Sequence, residues 1–515
     1  MPARFYVTTT IPYVNARPHL GFALELVQAD VLARHRRQRG DQVRFLSGTD
    51  DNSLKNVLAA DAEGLPTQEL VDRNAAAFEA LRQPLALSPD DFIRTSRDPR
   101  HRPGVERLWR ACAAAGDLYR KHYQGLYCVG CEQFYNAAEL RDGRCPEHGT
   151  PPQLVTEQNW FFRLSRYQGQ LHDLIDGGQL RIEPAVRRNE VLSFIAAGLH
   201  DLSISRSHTR ARGWGIPVPE DPDQVVYVWW DALGNYVTAL DYANHGPDYQ
   251  HWWVDNPSRV HLLGKGVLRF HAVYWPAMLL SAGEPLPTDI FVHDYLTVGG
   301  KKISKSAGVA IDPVELVAQF GTDPVRWWLL RDVPRVGDAD FTIDRLIART
   351  NSDLADGLGN LINRVTTMVH RYRDGKLPDC AAPPAADARR LTTACQQAPD
   401  LIAAALDAFD FRTATAAVWA IVDEANRYVE HVRPWYLARA ERDGDSRAAT
   451  DLDSALDVLV RSCQTLAEQI RRFLPDTADR IAAQCTPSAG RLPTPQPLFP
   501  RIATPEPRRS PARCS

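Results

Sequence analysis

The chain of 515 residues contains no long apolar segment. No run of about 18 apolar residues occurs, so the sequence predicts no membrane-spanning helix. The N-terminus, in which Met1-Pro2-Ala3-Arg4 precedes Phe5-Tyr6-Val7, lacks the apolar core of about 7–15 residues that a secretory signal peptide requires. The sequence therefore predicts a soluble, cytoplasmic protein that makes no contact with a membrane.

An excess of charge of either sign is also absent. The chain has 60 lysines and arginines against 63 aspartates and glutamates, which gives a formal net charge of −3. A protein that binds nucleic acid without regard to sequence carries a strong positive excess, so this class is excluded. Any contact with RNA must come from local basic patches.

Cysteine is sparse, because nine cysteines in 515 residues are too few for a disulfide scaffold. Three of the nine lie close together, since Cys128-x2-Cys131 is followed by Cys145-x2-His148. Two short pairs separated by a loop suit tetrahedral zinc. Four protein ligands leave no open coordination position, so we predict one structural Zn2+ ion. The alternative is a chance cluster in a loop. The remaining cysteines lack such spacing and are interpreted as ordinary apolar or surface residues: Cys112, Cys380, Cys395, Cys463, Cys485 and Cys514.

Apolar, β-prone runs alternate with helical patterns along much of the chain. Residues 5–9 and 43–46 are predicted as buried strands, with a helix over 19–36 and further helices to residue 82. Residues 225–230 and 260–263 are predicted to resume the strand pattern, and a helix is predicted over 267–280. This alternation predicts an α/β fold built on a parallel sheet.

Two long regions interrupt that alternation. Residues 117–222 hold the cysteine cluster and short mixed segments, so we predict an insertion that splits the sheet. Residues 346–485 follow helical spacing, as Leu354, Leu358 and Leu361 illustrate, and are predicted to form a helical bundle. The expected segments are 1–116 and 223–345 for the two halves of the α/β domain, 117–222 for the insertion, 346–485 for the bundle and 486–515 for a disordered tail.

His19-Leu20-Gly21-Phe22 lies where a strand and turn give way to a helix. A helix N-terminus offers backbone N–H groups and a positive dipole end, both of which suit phosphate. Gly21 permits a nucleotide to approach the backbone closely, and His19 can donate to a phosphate. The tetrapeptide alone is a weak signal, because a single histidine near a helix start is more often structural.

Lys302-Ile303-Ser304-Lys305-Ser306 forms a second motif after Gly299-Gly300. Two lysines beside small hydroxyl residues can clamp a pyrophosphate leaving group. The alternative is a solvated lysine loop. The order of the two motifs around a split sheet favours a nucleotide site, and no GxxxxGK[ST] phosphate loop competes with them.

At these motifs the chain resembles the methionyl-tRNA synthetases, a family of class I aminoacyl-tRNA synthetases, over about residues 5–475. The resemblance implies a Rossmann-like parallel sheet split by a zinc-knuckle insertion and followed by an all-α anticodon-binding bundle. The matching segments are Thr10-Ile11-Pro12-Tyr13-Val14-Asn15, Tyr127-Cys128-Val129-Gly130-Cys131, Cys145-Pro146-Glu147-His148-Gly149, Ser203-Ile204-Ser205-Arg206, Gly213-Trp214-Gly215-Ile216-Pro217 and Phe270-His271-Ala272-Val273-Tyr274-Trp275-Pro276.

The resemblance also implies roles for individual residues. His19, Lys302 and Lys305 are the expected catalytic residues. Asp50 is expected to receive the ammonium group of methionine. The expected ATP-binding residues are His19, Gly21, Gly264, Lys302, Ser304 and Lys305. The residues expected to enclose the methionine side chain are Ile11, Tyr13, Trp229, Leu233, Tyr236, Val267 and His271, an aromatic and aliphatic set that suits a thioether.

Asn360, Arg364 and Trp435 match family positions that read the CAU anticodon. Asn360 and Arg364 stand at i and i+4, on one face of a helix. Unpaired bases are recognised in general by aromatic stacking and by hydrogen bonds to base edges. An Asn/Arg pair on a helix is usually a solvated face, and the tryptophan at the third position favours function.

The sequence departs from the family pattern at three sites. Phe22 stands where the family has His, Asp51-Asn52-Ser53 where it has Glu-His-Gly, and Gly264-Lys265-Gly266 where it has Gly-Lys-Asp. In the family, the last aspartate is expected to meet the ATP ribose, and glycine cannot. A charge-assisted hydrogen bond contributes about 1.5–3 kcal/mol, so the departures predict altered ATP use in a diverged, bacterial-type paralogue.

The leading hypothesis is ATP-dependent attachment of methionine to tRNA-Met through methionyl-adenylate, with Mg2+ on the ATP phosphates, in a monomer. This activity is that of a methionine–tRNA ligase. A second hypothesis is a tRNA-independent ligase of specialised metabolism that adenylates an amino acid on the same fold. A third is a non-catalytic tRNA-binding protein. The three departures motivate the second hypothesis, and the anticodon residues favour the first.

Overall fold

The computed structural model describes residues 2–130, 133–135, 137–147, 149–303, 311–378 and 386–503. The chain divides into two compact units. The first contains Met1–Tyr295 and Ile303–Val314, and the second contains Leu296–Lys302 and Glu315–Ser515. No helix within the described ranges is long and apolar enough to cross a membrane.

Most strands of the described residues lie in the first unit. The strands are β1 (Arg4–Thr8), β2 (Gln42–Thr49), β3 (Asp91–Arg94), β4 (Leu118–Cys128), β5 (Gln133–Tyr135), β6 (Gln153–Phe162), β7 (Arg181–Glu183), β8 (Leu202–Ser203), β9 (Ser205–Ser207), β10 (Pro217–Val218), β11 (Asp221–Val226), β12 (Arg259–Gly264), β13 (Asp289–His293), β14 (Leu296–Val298), β15 (Lys301–Lys302) and β16 (Ala339–Asp340).

The α-helices fill the chain between these strands and almost all of its C-terminal part. They are α1 (Leu20–Gln38), α2 (Leu54–Glu63), α3 (Thr67–Glu79), α4 (His101–Ala114), α5 (Gln168–Asp176), α6 (Ala185–Ala196), α7 (Val228–Thr238), α8 (Pro247–Tyr249), α9 (Trp275–Ala282), α10 (Pro313–Phe320), α11 (Thr322–Arg331), α12 (Ile343–Arg349), α13 (Asn360–Arg373), α14 (Arg389–Asp407), α15 (Phe411–Val432), α16 (Pro434–Arg442), α17 (Ser446–Ile470) and α18 (Pro475–Cys485).

A six-stranded parallel sheet forms the centre of the first unit, with the strand order β3-β2-β1-β12-β13-β7. Its inner strands are buried apolar runs, as expected for a parallel sheet covered on both faces. Tyr6 and Val7 on β1 and Leu262 and Leu263 on β12 have no accessible surface. The predicted α/β fold and parallel sheet are confirmed.

The inserted region contains antiparallel sheets. One has the order β5-β4-β6-β8 and another the order β10-β11-β9. Its strand β7 nevertheless pairs in parallel with β13 and forms one edge of the central sheet. This strand was not predicted, because three residues are too few to give a periodic signal.

The prediction of a single buried strand over residues 225–230 is wrong. The strand β11 ends at Val226, Tyr227 follows, and α7 begins at Val228. Moreover, β11 pairs antiparallel with β9 and β10 and does not join the central sheet. A short apolar run has no periodicity that separates a buried strand from a buried helix, so the sequence could not locate this transition.

The second unit is almost wholly helical, as predicted for residues 346–485. A π-helical stretch, Thr350–Gly359, joins α12 to α13 in one continuous helix. The buried faces of α13, α15 and α17 supply leucine, isoleucine and valine at helical spacing. Such amphipathic helices are stable because they bury these faces against one another.

The predicted disordered tail is ordered over residues 486–503. Leu492 and Leu498 are buried, and the side-chain amide of Asn351 exchanges two hydrogen bonds with the backbone of Ile502. These apolar residues and backbone partners anchor a proline-rich segment that has no periodic pattern of its own. Residues 504–515, the remainder of the predicted tail, lie outside the described residues.

Candidate active site

The sheet topology brings most of the predicted site residues to one edge. The chain runs from β1 through α1 to β2 on one side, and from β12 through α9 to β13 on the other. In open parallel sheets, ligands bind at the carboxyl ends of the strands where these directions diverge. The segments that follow β1, β2 and β12 carry Tyr13, His19, Asp50 and Val267.

His19 caps the helix α1. Its Nδ1 accepts a hydrogen bond from the N–H of Gly21 at 3.1 Å. A β-carbon at residue 21 would lie 3.0 Å from His19 Cε1, so glycine permits the ring to sit this close. The geometry fixes the orientation of the imidazole at the carboxyl edge of β1.

The first N–H groups of α1 already have acceptors within the chain. The N–H of Leu20 donates to the carbonyl of Ile311, that of Gly21 to the His19 ring, and those of Phe22 and Ala23 to the His19 carbonyl. The prediction that these groups are open to phosphate is therefore wrong for this structure, because His19 and residue 311 take them.

Asp50 lies directly beside Tyr13. Its N–H donates to the carbonyl of Pro12 at 2.9 Å, and Tyr13 and Asp50 form an isolated parallel bridge. The carboxylate is 1% exposed and accepts a hydrogen bond from the N–H of Asn52 at 3.2 Å. A buried carboxylate in this position suits a cationic amine, because the charge-assisted bond is strong in a desolvated site.

Aromatic rings form one wall of the predicted methionine pocket. The Trp229 ring stacks on Phe270 with centroids 3.7 Å apart, and Tyr13 meets Trp229 edge to face at 6.1 Å. Trp229, Ile11 and Val267 are half-buried and pack against the apolar core that contains Leu233 and Tyr236. Phe270 was not predicted as a pocket residue; its proximity to the matched His271 was the one signal that could have indicated it.

One face of α7 positions three of these side chains. Trp229, Leu233 and Tyr236 stand at i, i+4 and i+7, which places them on the same side of the helix. The Tyr6 hydroxyl donates to the carbonyl of Tyr236 at 2.8 Å, so β1 fixes the end of this face. The structure therefore brings together the residues that the sequence had spread over 260 positions.

His271 and Tyr236 form a neutral hydrogen-bonded pair. His271 Nδ1 lies 2.9 Å from the carbonyl of Val267 and must donate to it, so Nε2 accepts from the Tyr236 hydroxyl at 2.7 Å. Burial lowers the pKa of His271 to about 4 and raises the pKa of Tyr236. Both groups are uncharged at neutral pH.

His261 extends the neutral region beneath Tyr236. The two rings lie 4.1 Å apart, and His261 accepts a hydrogen bond from the Trp275 indole at 3.2 Å. Burial lowers the pKa of His261 as well. The pocket wall therefore presents polarisable rings without charge, which suits an apolar thioether side chain.

The three residues that replace the family's Glu-His-Gly all form hydrogen bonds in the structure. Asn52 donates to the buried carboxylate of Asp231 at 3.1 Å, and Ser53 caps α2. Asp51 accepts from Thr49 at 2.8 Å and from Ser96 at 2.7 Å. Burial raises the pKa of both Asp51 and Asp231. The substituted segment is a connected buried network beside Asp50.

Phe22 is a core residue. Its ring is buried and meets Phe78 edge to face at 5.4 Å between centroids. An aromatic pair of this geometry contributes about 0.5–1.5 kcal/mol beyond its buried area. The side chain at position 22 therefore packs between helices α1 and α3.

Glu25 and His293 were not singled out by the sequence. Glu25 Oε1 accepts from both the N–H and the hydroxyl of Thr10 at 2.6 Å, and Glu25 Oε2 lies 3.0 Å from His293 Nε2. These contacts link the loop after β1, the helix α1 and the end of β13. Partners from such distant parts of the chain leave no local sequence signal.

Gly264 ends β12 opposite His293, the last residue of β13, and Gly266 follows two residues later. A β-carbon at Gly264 would lie 3.4 Å from the His293 ring, which is close. A β-carbon at Gly266 would lie 2.3 Å from the Tyr295 hydroxyl, so no side chain fits at residue 266 unless Tyr295 moves.

The lysine motif begins in the second unit. Lys302 is the last residue of β15, which pairs antiparallel with β14 across a turn at Gly299 and Gly300. Both glycines have positive φ, +57° and +76°, which side chains rarely adopt. Ser304, Lys305 and Ser306 lie outside the described residues.

The predicted anticodon residues lie on the surface of the second unit. Asn360 begins α13 and is exposed. The guanidinium of Arg364 donates to Glu430 at 2.7 Å. Trp435, five residues after Glu430, is 37% exposed despite its large apolar ring. An exposed tryptophan is a candidate stacking platform for an unpaired base.

The predicted zinc site is described in part. Cys128 and Cys145 are buried in one small cluster with Tyr135 and are joined there by Leu140. The N–H of Gly149 donates to the carbonyl of Cys145 at 2.8 Å, which closes a tight turn. Cys131 and His148, the other two predicted ligands, lie outside the described residues.

Comparisons with known proteins agree with this arrangement. The family model of the class I tRNA synthetases (M) matches residues 5–153 and 136–366. A methionine–tRNA ligase of Brucella suis is 40% identical, over 97% of this chain and 98% of the relative. One of Mycobacterium tuberculosis is 40% identical, over 98% of this chain and 99% of the relative.

Solved structures match along almost the whole chain. The methionyl-tRNA synthetase of Mycobacterium tuberculosis in complex with methionyl-adenylate superimposes with a TM-score of 0.91 at 38% identity, covering 97% of this chain and 100% of that one. The apo form gives a TM-score of 0.86 at 36% identity, with 98% and 99% covered. The chain belongs to the methionyl group of the class I tRNA synthetases, the family of the methionine–tRNA ligases.

Proposed function

We propose that this chain attaches methionine to tRNA-Met in two steps, at the expense of ATP. The observation that supports this most directly is the neutral aromatic pocket around Trp229 and Tyr236, with the buried carboxylate of Asp50 beside Tyr13. Such a pocket accepts an uncharged thioether at one end and a cationic amine at the other. Membership of the methionyl family supports the same substrate.

In the first step, the methionine carboxylate attacks the α-phosphorus of ATP. A bond forms between a carboxylate oxygen and phosphorus, the bond from phosphorus to the β-phosphate oxygen breaks, and pyrophosphate leaves. His19, Lys302 and Lys305 are proposed to stabilise the negative charge on the phosphates during this step. ATP enters as its Mg2+ complex, which neutralises part of that charge.

In the second step, a hydroxyl of the terminal ribose of tRNA attacks the carbonyl carbon of methionyl-adenylate. The new ester bond forms as the bond to AMP breaks, and the hydroxyl proton is released to the leaving phosphate or to solvent. No covalent intermediate with the protein is needed. The protein contributes positioning and electrostatic stabilisation, which suffice for large accelerations when the reacting groups are held in line.

The anticodon is proposed to bind the second unit at Asn360, Arg364 and Trp435. Glu430 orients the Arg364 guanidinium, and the exposed Trp435 ring offers a stacking surface. These three surface residues favour tRNA as the acceptor over the second hypothesis, a tRNA-independent ligase. The relatives found are methionine–tRNA ligases, which supports the same choice.

The deciding experiment measures exchange and charging on the purified chain. Methionine alone among the amino acids should drive ATP–pyrophosphate exchange, and tRNA-Met should be acylated. Lys305→Ala should lower exchange by orders of magnitude with methionine binding nearly unchanged, whereas Lys376→Ala, an exposed control, should leave both intact. Exchange driven by another amino acid, or exchange without acylation, would establish the second hypothesis instead.

A structural Zn2+ ion is proposed at Cys128, Cys131, Cys145 and His148. Cys128 and Cys145 fit such a site because both are buried in the same small cluster, where thiolates are shielded from solvent. When bound, the ion would hold the hairpin of β4 and β5 against the turn at Cys145. Metal analysis of the purified protein should find one zinc per chain, and Cys128→Ser should release it. A native protein without zinc would refute the proposal.

We further propose that the chain acts as a monomer in the cytoplasm. The cytoplasmic location is supported by membership of the methionine–tRNA ligase family, whose acceptor is a tRNA, and by a cysteine content too low for a disulfide scaffold. Sedimentation equilibrium at micromolar concentration should give the mass of one chain, 57.6 kDa. Twice that mass would contradict the monomer.

A further inference from the structure

The proposed methionine site has two ends that lie on different elements. Trp229 and Tyr236, two of the rings proposed to enclose the side chain, lie on α7. Asp50, the carboxylate proposed to receive the ammonium group, directly follows β2. The separation of these two elements therefore determines which length of amino acid fits both ends of the site.

A buried hydrogen bond joins the two elements. Asn52 Nδ2 donates to Asp231 Oδ2 at 3.1 Å, across 179 residues of sequence. Asp231 lies in the first turn of α7, two residues after Trp229, and is 0% exposed. Asn52 is 9% exposed. Water competes little for a hydrogen bond at this depth, so the bond holds its two partners more firmly than one at the surface would.

The same asparagine also contacts Asp50. The backbone N–H of Asn52 donates to Asp50 Oδ1 at 3.2 Å. Asn52 therefore reaches α7 with its side chain and the proposed ammonium site with its backbone. A shift of residue 52 relative to α7 would move the Asp50 carboxylate relative to Trp229 and Tyr236.

Asp231 is also approached from the neighbouring helix α4. His101 Nε2 lies 3.8 Å from Asp231 Oδ1, and His101 Nδ1 lies 2.8 Å from the hydroxyl of Thr238, further along α7. All three side chains are fully buried. The helices α4 and α7 thus form a common base to which the segment after β2 is attached through Asn52.

Other hydrogen bonds fix the conformation of that segment. The side chain of Asn56 on α2 donates to the carbonyls of Asp50 and Asp51 at 3.1 and 2.8 Å, and the Trp214 indole donates to the carbonyl of Asp51 at 2.8 Å. These bonds come from α2 and from the inserted region. The bond from Asn52 differs from them because it runs directly to the helix that carries the pocket wall.

We propose that the hydrogen bond between Asn52 and Asp231 determines the length of the amino acid that the site accepts. It holds the ammonium site at a fixed distance from the side-chain wall, so methionine reaches both ends and a longer homologue does not. Asn52 and Asp231 are positioning residues for specificity, because they act through Asp50 and α7. This proposal rests on the proposed adenylation of methionine.

The test compares methionine, ethionine and norleucine in ATP–pyrophosphate exchange. Ethionine is one methylene longer than methionine, whereas norleucine has the same length with a methylene in place of sulfur. The wild type should favour methionine over ethionine by roughly 10- to 200-fold in kcat/KM, the usual effect of one methylene in a filled pocket. Asn52→Ala should lower this ratio roughly five-fold or more, a coupling typical of residues in direct contact. The ratio of methionine to norleucine should be unchanged.

A purely structural role for Asn52 gives a different result. An unchanged ratio of methionine to ethionine in Asn52→Ala, or equal changes in both ratios, would overturn the proposal. A wild type that does not discriminate against ethionine would overturn it as well. Failure of the proposed function is distinct, because the wild type would then show no methionine-dependent exchange.

Two variants separate the hydrogen bond from charge and from burial. Asp231→Asn retains an oxygen that can accept from Asn52, so the ratio of methionine to ethionine should stay at the wild-type value. Asn256, which is 1% exposed, donates to the carbonyls of Trp252 and Ser258 before β12 begins, at the opposite edge of the central sheet. Asn256→Ala should leave both ratios unchanged.

Further variants keep the test decisive if Asn52→Ala has a low melting temperature. Asn52→Ser takes its place, because the serine side chain is too short to reach Asp231. The double variant Asn52→Asp, Asp231→Asn is isosteric with the wild type and restores the hydrogen bond with donor and acceptor reversed. It should discriminate against ethionine as the wild type does, and loss of discrimination in this folded double variant would contradict the proposal.

Discussion

His271 illustrates how burial sets the chemistry of a single side chain. Its ring is fully enclosed, and its two nitrogens are occupied by Val267 and Tyr236. Burial therefore lowers the pKa of His271 to about 4. Protonation of His271 would place a positive charge in the protein interior without its hydration shell, which is unfavourable.

This pKa predicts a pH dependence of stability. The unfolded chain protonates His271 near pH 6.5, and the folded chain only near pH 4, so the unfolded state takes up more protons between these values. The free energy of unfolding should therefore fall as the pH is lowered from about 6.5 to 4, by about 3 kcal/mol from this residue. Calorimetry should show that the free energy of unfolding of His271→Gln falls less over this pH range than that of the wild type.

His172→Gln serves as the control for that measurement. His172 lies on the surface of α5 with much of its side chain exposed. Its replacement should leave the pH dependence as it is in the wild type. If His271→Gln follows the wild-type curve over the same pH range, the buried neutral imidazole is not responsible for the decline.

Residue identity alone did not indicate what the residues that depart from the family contact. Phe22 suggested a damaged phosphate motif, yet it packs on Phe78. Asn52 suggested a lost histidine, yet it donates to Asp231, which is 179 residues away. The partner of each substituted residue lies far along the chain, so the sequence could indicate that a position had changed but not what the change contacts.

The helix pair α4 and α7 determines where the pocket wall stands. Gly104 on α4 faces Thr238 on α7, and a β-carbon at residue 104 would lie 2.5 Å from Thr238 Cγ2. The two helices can approach this closely only because residue 104 has no side chain. Since α7 carries Trp229 and Tyr236, their positions depend on this contact.

Gly104→Ala is therefore expected to disturb the pocket without touching it. The added methyl group should force the helices apart, which costs about 1–3 kcal/mol of stability as overpacking does in general. The KM for methionine should rise several-fold in pyrophosphate exchange. The free energy of unfolding is measured by denaturant unfolding, and the KM for methionine by steady-state kinetics on the same preparation.

Gly234→Ala is the matched control within the same helix pair. A β-carbon at residue 234 would meet Val105 at 3.6 Å, an ordinary contact. This variant should keep the KM for methionine and be as stable as the wild type or up to about 1 kcal/mol more stable, since alanine favours a helix. Equal losses in both variants would show that Gly104 has no special role.

Elements with strong periodicity were predicted well, and short ones were not. The helix predicted over residues 19–36 is Leu20–Gln38, and the strand predicted over 43–46 lies within Gln42–Thr49. The edge strand Arg181–Glu183 and the ordered segment 486–503 were missed. Both are held by pairing with distant parts of the chain rather than by a pattern of their own.

At the scale of the whole molecule, the two proposed binding functions lie in different units. The methionine pocket belongs entirely to the first unit, and Asn360, Arg364 and Trp435 belong to the second. Adenylation needs only the small substrates, whereas charging also needs the anticodon. The two activities should therefore be separable by substitution.

Trp435→Ala should separate them. Loss of base stacking should lower kcat/KM for charging of tRNA-Met by roughly 5- to 150-fold, the equivalent of about 1–3 kcal/mol. Methionine-dependent pyrophosphate exchange should be unchanged. Tyr436→Ala, the replacement of an adjacent ring that is 57% exposed, should have a much smaller effect on charging. Similar losses at both residues would contradict a specific role for the Trp435 indole.

The strand order of the central sheet has a consequence for biosynthesis. One of the two neighbours of strand β1, β12, follows it by about 250 residues, so β1 leaves the ribosome well before this partner. Translation at about 5–20 residues per second leaves that edge of β1 unpaired for on the order of 10–50 s. An apolar strand with an open edge can pair with other chains. The nascent first half must therefore be shielded until the second half has been synthesised.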